Sequence, residues 1–321
     1  MILTFTPNPA LDITYAVPSV ALGGSHRVAS VSERAGGKGL NVAAVATAMG
    51  RRAVAIAPIG ELDVDLFADD LDARRVPHRL VSSPLPTRRS VAVVEADGRA
   101  TLFNEPGMAQ SQRVWDRLAD EVERLAPDAA VLTVSGSFPP GADHDFVRRV
   151  TNLAHEVGLR VVLDISGTHL TRALGAQPDL VKPNRLEAAV TLTNLGRGEV
   201  PSVPDAARAL VAAGARAAVV SDGTNGLVLV HEEVALRAHL RRPLSGNPTG
   251  AGDALTAALA AELEDHHRNG GLPQGRDDWA AALRRGVAWS AAAVLQPVAG
   301  SVDPDDVDRL LPTVEIEEIR S

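Results

Sequence analysis

Asn247-Pro248-Thr249-Gly250-Ala251-Gly252-Asp253 runs without a break into the apolar helical run Ala254–Leu263. Small residues directly before a helix let backbone N–H groups converge at its N-terminus, where the helix dipole favours an anion. Asp253 then sets a carboxylate beside that anion hole, placed to accept a proton from an attacking hydroxyl. The same residues also describe an ordinary glycine-rich helix start with an acidic first turn. The segment is not a Walker A loop, because no Gly-Lys-Ser/Thr follows. Gly250–Leu255 also lacks the Gly-x-Gly-x-x-Gly spacing of a dinucleotide fold, which argues against a nicotinamide-dependent dehydrogenase.

Upstream of this turn, short apolar runs alternate with amphipathic helical patterns. That rhythm predicts an α/β fold, a doubly wound and mostly parallel sheet with crossover helices. The predicted strands are Ile2–Thr6, Ala53–Ile59, Ala129–Val134, Arg160–Asp164, Leu180–Lys182 and Ala217–Ser221. Within Asp143–Val157, apolar residues recur at three- and four-residue steps and give one buried helix face. Pro204–Ala213 behaves the same way, with Gly214 as its stop. Two stretches break the rhythm. Arg88–Phe103 reads as a hairpin turning at Asp97-Gly98, and with Ile13–Val17 and His26–Val31 it forms a small sheet beside the main body. Gly226–Leu240 reads as a second hairpin, turning at His231–Glu233. With no internal repeat or long linker, residues 1–321 read as one domain carrying a small β lid at about 12–34 and 87–104.

The bulk composition narrows the partners. A net charge of −8 argues against general affinity for nucleic acid or anionic membrane. Aromatic residues are 3% of the chain, too few for base-stacking platforms. The absence of cysteine removes disulfides, thiol catalysis and thiolate metal sites together. No apolar run approaches the roughly 20 residues of a membrane span, and the N-terminus reads as a strand with no basic region before it. A cytoplasmic protein is the expectation. Of the 32 basic residues, only Lys38 and Lys182 are lysine, which draws attention to the places where a compact ammonium replaces a guanidinium fork.

Both lysines fall in loop-marked segments. Ala35-Gly36-Gly37-Lys38-Gly39-Leu40-Asn41 enters a helix: glycines allow close backbone approach, Lys38 supplies charge, and Asn41 can bind hydroxyls from the first turn. A flexible loop before a helix fits the same letters. Lys182-Pro183-Asn184-Arg185-Leu186-Glu187 follows a strand. Asn184 with Glu187 makes a capping box, and the alternative places Lys182 and Asn184 near nucleotide phosphates with Glu187 ordering water around magnesium. Ser135-Gly136-Ser137-Phe138-Pro139-Pro140-Gly141 and Ser221-Asp222-Gly223-Thr224-Asn225-Gly226 are turns after strands, where α/β sheets hold ligands. Asp12, in Asn8-Pro9-Ala10-Leu11-Asp12, can chelate a pair of sugar hydroxyls. His266-His267 reads as a solvated helix end.

Taken in order, these segments resemble the ribokinase-like carbohydrate kinases, and within them the 1-phosphofructokinase and tagatose-6-phosphate kinase branch. The resemblance runs from Asn8–Asp12 to Gly250–Asp253. It implies ATP as phosphoryl donor and Mg2+ as cofactor, with Asp253 as catalytic base and Gly250, Ala251 and Gly252 as the anion hole. Lys182, Asn184 and Glu187 would serve the nucleotide phosphates and, through water, the metal. Ser221, Gly223 and Gly226 would line the triphosphate, and Ala288 to Val294 the adenine. Asp12, Gly37 and Asn41 would hold sugar hydroxyls; Lys38, Arg88, Arg27 and Ser137 complete the acceptor set, the cations taking a phosphate already present. Family members commonly dimerise through the β lid, so a homodimer is expected. Departures point to the acceptor. Fructose-6-phosphate kinases of this superfamily carry a glycine at the position of Lys38, and an arginine at the position of Leu102. Phe138 stands where leucine is usual. The implied reaction is phosphorylation of fructose 1-phosphate at its 6-hydroxyl. Tagatose 6-phosphate and fructose 6-phosphate are the nearest alternative acceptors, and a non-catalytic sugar-phosphate-binding regulator is the distant one.

Overall fold

The structure is a computed structural model and describes residues 1–198, 202–232, 234–268 and 271–319. The chain opens with β1 (Ile2–Phe5), β2 (Ala10–Val17), β3 (Ser30–Gly36) and the helix α1 (Lys38–Ala48). Next come β4 (Ala53–Gly60), α2 (Val64–Ala73), β5 (His78–Ser83), β6 (Arg88–Glu95) and β7 (Ala100–Asn104). The middle of the chain holds α3 (Gln112–Leu125), β8 (Val131–Ser135), α4 (Phe146–Glu156), β9 (Arg160–Asp164), α5 (Gly167–Ala173) and β10 (Leu180–Val181). Then follow α6 (Arg185–Asn194), α7 (Val203–Ala212), β11 (Ala217–Ser221), β12 (Leu227–His231) and β13 (Val234–Leu240). The chain closes with α8 (Ala251–Arg268), α9 (Gly275–Val294), α10 (Pro304–Leu310) and β14 (Val314–Glu318). Among the described residues, no helix is long and apolar enough to cross a membrane.

Ten strands form the main sheet in the order β14-β13-β12-β11-β10-β9-β8-β1-β4-β5, parallel from β11 to β5 and antiparallel from β11 to β14. Its central strands are buried on both faces, which is why they read as unbroken apolar runs; all of Ala53–Gly60 is buried. One core cluster packs α1, α2, α8, α9 and α10 on one face. The other packs α3 through α7 on the opposite face. The chain leaves β1 in both directions, to β4 on one side and β8 on the other. That reversal opens a crevice at the carboxyl ends of the parallel strands, where α/β sheets bind ligands.

A separate four-stranded sheet, in the order β3-β2-β6-β7, stands over those ends. Its second strand differs from the prediction. His26–Val31 was the expected strand, but β3 begins at Ser30 and runs to Gly36, in antiparallel register from Ala16↔Ser30 to Ala10↔Gly36. Ser32-Glu33-Arg34 lies on an open sheet edge and carries no apolar alternation, so the pattern hid it. The same reason conceals the polar edge strands β5 and β14, which the sequence reading did not find. The predicted 226–240 hairpin appears as β12 and β13; Glu233 of its turn lies outside the described residues. His266 and His267 fall within α8, both half-buried rather than solvated.

Candidate active site

The carboxyl ends of β9 and β10 carry the electrostatic centre. Asp164, the last residue of β9, is fully buried, and both lysines of the chain converge on it. Lys182 Nζ lies 3.3 Å from Asp164 Oδ1 and Lys38 Nζ lies 3.5 Å from the same oxygen. Thr256 Oγ1, from the first turns of α8, donates to Asp164 Oδ2 at 3.2 Å. Burial pushes this carboxyl up, but Lys182 and Lys38 outweigh burial and hold it below the usual aspartate range. Asp164 in turn raises Lys38, with Glu187 helping. Lys38 Nζ also donates to Glu187 Oε1 at 3.0 Å.

Asp253 lies in the first turn of α8 and is buried. Its Oδ2 accepts from Asn41 Nδ2 at 2.8 Å, and no other described side chain hydrogen-bonds the carboxylate. Burial first, and then the negative charge of Asp164, push Asp253 up to about 7, against the pull of the Asn41 hydrogen bond and the two lysines. A carboxylate titrating near neutrality beside a helix N-terminus can take a proton from a hydroxyl at physiological pH. Gly250 shapes the turn: its φ is +86°, and a Cβ there would come within 2.9 Å of Ala299 Cα.

Asp12 sits on β2, against Gly36 of β3. A Cβ on Gly36 would fall 2.1 Å from Asp12 Oδ2, so only glycine there leaves the Asp12 carboxylate in this position. Burial raises Asp12 to about 6, while Arg88 pulls it back. Arg88 is itself held by the backbone carbonyls of Asn8 and Glu105, at 3.1 and 3.0 Å.

These groups surround one cavity of about 960 Å³. Asp12, Gly37, Lys38, Asn41 and Arg88 line one end, and Gly250, Ala251, Gly252 and Asp253 the floor. Lys182, Asn184, Glu187, Ser221, Gly223 and Gly226 line the middle. The far end is apolar, with Leu227, Leu240, Leu244, Val287, Ala291 and Val294, overlapping the stretch expected beside an adenine. Ser137 lies instead in an adjoining cavity of about 300 Å³, with Asn8, Phe138 and His169. Arg27 borders neither cavity; it is exposed in the segment between β2 and β3. Among the described residues, none brings its guanidinium toward the other acceptor residues.

The capping box is real: Glu187 N donates to Asn184 Oδ1 and Asn184 N to Glu187 Oε2, both at 2.9 Å. The cap and the cavity wall are the same two side chains. Among the described residues, no group of three or more His, Asp or Glu side chains could cage a metal. A lone rim carboxylate such as Glu187 fits Mg2+, which keeps its waters and is held chiefly by substrate phosphates. The role of Asp164 was not found in the sequence, because its place at a strand end acquires meaning only once both lysines meet there.

Comparison with known proteins identifies the family. The family model described as pfkB family carbohydrate kinase matches residues 8–306. A 1-phosphofructokinase of Xanthomonas campestris pv. campestris is 35% identical over 271 residues, 82% of this chain and 84% of that protein. The structure of phosphofructokinase-2 from Escherichia coli in complex with potassium superposes with a TM-score of 0.85 at 29% identity, covering 97% of this chain and 98% of that one. A possible 1-phosphofructokinase of Thermotoga maritima shares the fold, with a TM-score of 0.84 at 20% identity over 100% of both chains. With the family model matched across nearly its whole length, the chain belongs to the pfkB family of carbohydrate kinases.

Proposed function

We propose that this kinase transfers the terminal phosphoryl group of ATP to the 6-hydroxyl of fructose 1-phosphate, giving fructose 1,6-bisphosphate and ADP. The observation that carries the reading is Asp253, a buried carboxylate with a pKa raised to about 7, at a helix N-terminus within one cavity that also holds Lys38, Lys182 and Arg88. The Xanthomonas relative, named 1-phosphofructokinase, supports the acceptor. So does Lys38, a cation at the acceptor end that a neutral sugar does not need.

The apolar end of the cavity takes the adenine, and Ser221, Gly223 and Gly226 line the path of the phosphates. Lys182 and Asn184 face them from the turn between β10 and α6. Asp12 and Asn41 hold acceptor hydroxyls, with Gly37 allowing close approach. Lys38, Arg88 and Ser137 hold the acceptor's phosphate. Asp253 orients the 6-hydroxyl and accepts its proton as the oxygen bonds to the γ-phosphorus and the bond to the leaving ADP oxygen breaks. The N–H groups of Gly250 and Gly252, at the start of α8, face the charge on the transferring group, while that of Ala251 donates to Pro248 O at 3.2 Å and joins them only if this turn bond opens. Glu187, through water, would help the nucleotide phosphates hold magnesium, which when bound would supply charge neutralisation to the phosphate oxygens. ATP and sugar phosphates are cytoplasmic metabolites, which supports a cytoplasmic enzyme. The exposed apolar residues of the small sheet support a homodimer formed through it.

The test is an ADP-release assay with Mg2+ and ATP against fructose 1-phosphate, tagatose 6-phosphate, fructose 6-phosphate, free fructose and ribose. Fructose 1-phosphate is expected to give the highest kcat/KM, and Asp253→Asn to lower it by several orders of magnitude. Preference for another ketohexose phosphate reassigns the acceptor. Tight binding of a sugar phosphate with no turnover replaces the kinase reading with that of a regulator.

A further inference from the structure

One peptide of the loop between α9 and α10 backs the site without lining it. Gly250 packs on it so closely that a Cβ there would fall 2.9 Å from Ala299 Cα and 3.2 Å from Gly300 N. Gly300 has a φ of +70°, and a Cβ on it would fall 2.7 Å from Asn41 Oδ1. Ala299–Gly300 is therefore wedged between the turn that opens α8 and the side chain that donates to Asp253. Arg34, on β3, holds this peptide from outside: its Nη1 donates to Ala299 O at 3.2 Å. Arg34 stands directly across from Asp12 in the β2–β3 register, and its backbone is anchored through the next residue. Ala35 N donates to Asp70 Oδ2 at 3.2 Å, and Arg74 Nη2 donates to Ala35 O at 3.0 Å. The helix α2 thus grips both polar backbone groups of Ala35. Arg34 borders neither cavity, yet it spans from a clamped strand opposite Asp12 to the peptide behind Asn41 and Gly250.

We propose that Arg34 is a positioning residue for phosphoryl transfer: it holds the Ala299–Gly300 peptide against Asn41 and Gly250, and so ties the strand opposite Asp12 to the base and the anion hole. The proposal rests on the kinase reading above and deepens it. A guanidinium bond to a carbonyl is charge-assisted and short-ranged, so it fixes where the peptide can lie. Without it the loop keeps a hold on the α8 turn through Asn247 Nδ2, which donates to Pro297 O at 3.2 Å, but Gly300 is free to retreat from Asn41. Asn41 then loses the wall that keeps its amide on Asp253. Displacements of about 1 Å at such a group can cost on the order of 100-fold in rate.

Steady-state kinetics on the full chain, with Mg2+, ATP and fructose 1-phosphate, test this. Arg34→Met keeps the aliphatic stem and removes the donor. Its kcat should fall roughly 10- to 100-fold, the span of a lost charged hydrogen bond, while the KM for ATP stays close to wild type. Arg34→Lys, which still presents a cationic donor, should stay within about threefold of wild type. Asp253 supplies a second readout. Burial and Asp164 push that carboxyl up, while Asn41, Lys38 and Lys182 hold it down. Loosening Asn41 therefore moves the acid limb of kcat/KM in Arg34→Met above its wild-type position, which a merely structural role would not do. In an Asn41→Ala background, Arg34→Met should cost no more than about threefold, because the two act in series. An unchanged kcat, full additivity with Asn41→Ala, or a loss confined to the acceptor KM with an unmoved acid limb overturns the assignment and leaves the kinase reading standing. If wild type turns over no ketohexose phosphate, the kinase reading fails and takes the positioning role with it.

Discussion

Asp253 owes its titration to burial and to Asp164, and both consequences can be measured. As a base it must be ionised, so kcat/KM should fall about tenfold per pH unit on an acid limb with an apparent pKa near 7, measured from pH 5 to 9. An unperturbed aspartate would put that limb near 4. The same shift acts on stability with a definite sign. The folded pKa lies above the unfolded one, so the favourable contribution is complete below about pH 4 and is lost as pH rises through about 7. At pH 8 the ionised side chain costs the fold on the order of a few kcal/mol, at about 1.4 kcal/mol per unit. Asp253→Asn, which can still accept from Asn41, should therefore have a higher denaturation midpoint than wild type at pH 8 and a smaller gain at pH 5. A gap that does not widen between the two pH values removes the electrostatic account. At this scale the sequence was informative where residue types were scarce. Two lysines in a chain of arginines marked the site, and both meet at one carboxylate. Asp164 was hidden because aspartate is common, and a strand-terminal acid has no local signature.

At the scale of elements, glycine positions show how strands set functional side chains. Gly36 is in ordinary extended backbone, so an alanine there meets no backbone strain; it meets Asp12, 2.1 Å from the added Cβ. Gly36→Ala should leave the fold intact and displace the Asp12 carboxylate. A lost charged hydrogen bond is worth roughly 1.5–3 kcal/mol, or about 10- to 150-fold. That loss should fall on kcat/KM for the acceptor and leave the KM for ATP close to wild type. A matching rise in the ATP constant would mean that the whole β2–β3 crossing had moved. Elements buried on both faces, such as β4 and β9, were legible from unbroken apolar runs, and α6 from its cap. Of the strands at sheet edges, only β7 was legible, through its Asp97-Gly98 turn. β3, β5 and β14 are stabilised by backbone ladders and one-sided packing, so their side chains are free to be polar and the alternation disappears.

For the molecule as a whole, the main sheet is closed on both faces by helices, whereas the small sheet has two open edges and an apolar outer end. Every residue of β7 is exposed, with Leu102 and Phe103 at 57% and 59%, and Val31 on the opposite edge strand is 56% exposed. The register places Leu102 on the face that carries Asp12, two positions beyond Asn104 and Ser90, while Phe103 shares the other face with Val91 and Ile13. A single copy therefore leaves apolar side chains bare on both faces of the element that holds Asp12 and Arg88, which is a costly arrangement for a free surface. A second copy laid against this sheet would cover them and brace the acceptor-binding strands. Wild type should then sediment at twice the mass of one chain at micromolar concentration. The double variant Leu102→Asp with Phe103→Asp should sediment as a folded monomer, because side chains this exposed contribute little to the monomer's own core. Its acceptor KM should rise as the strands carrying Asp12 and Arg88 lose their brace, while its ATP constant changes less. A wild-type chain that stays monomeric with full activity would show that the apolar end serves neither assembly nor the site.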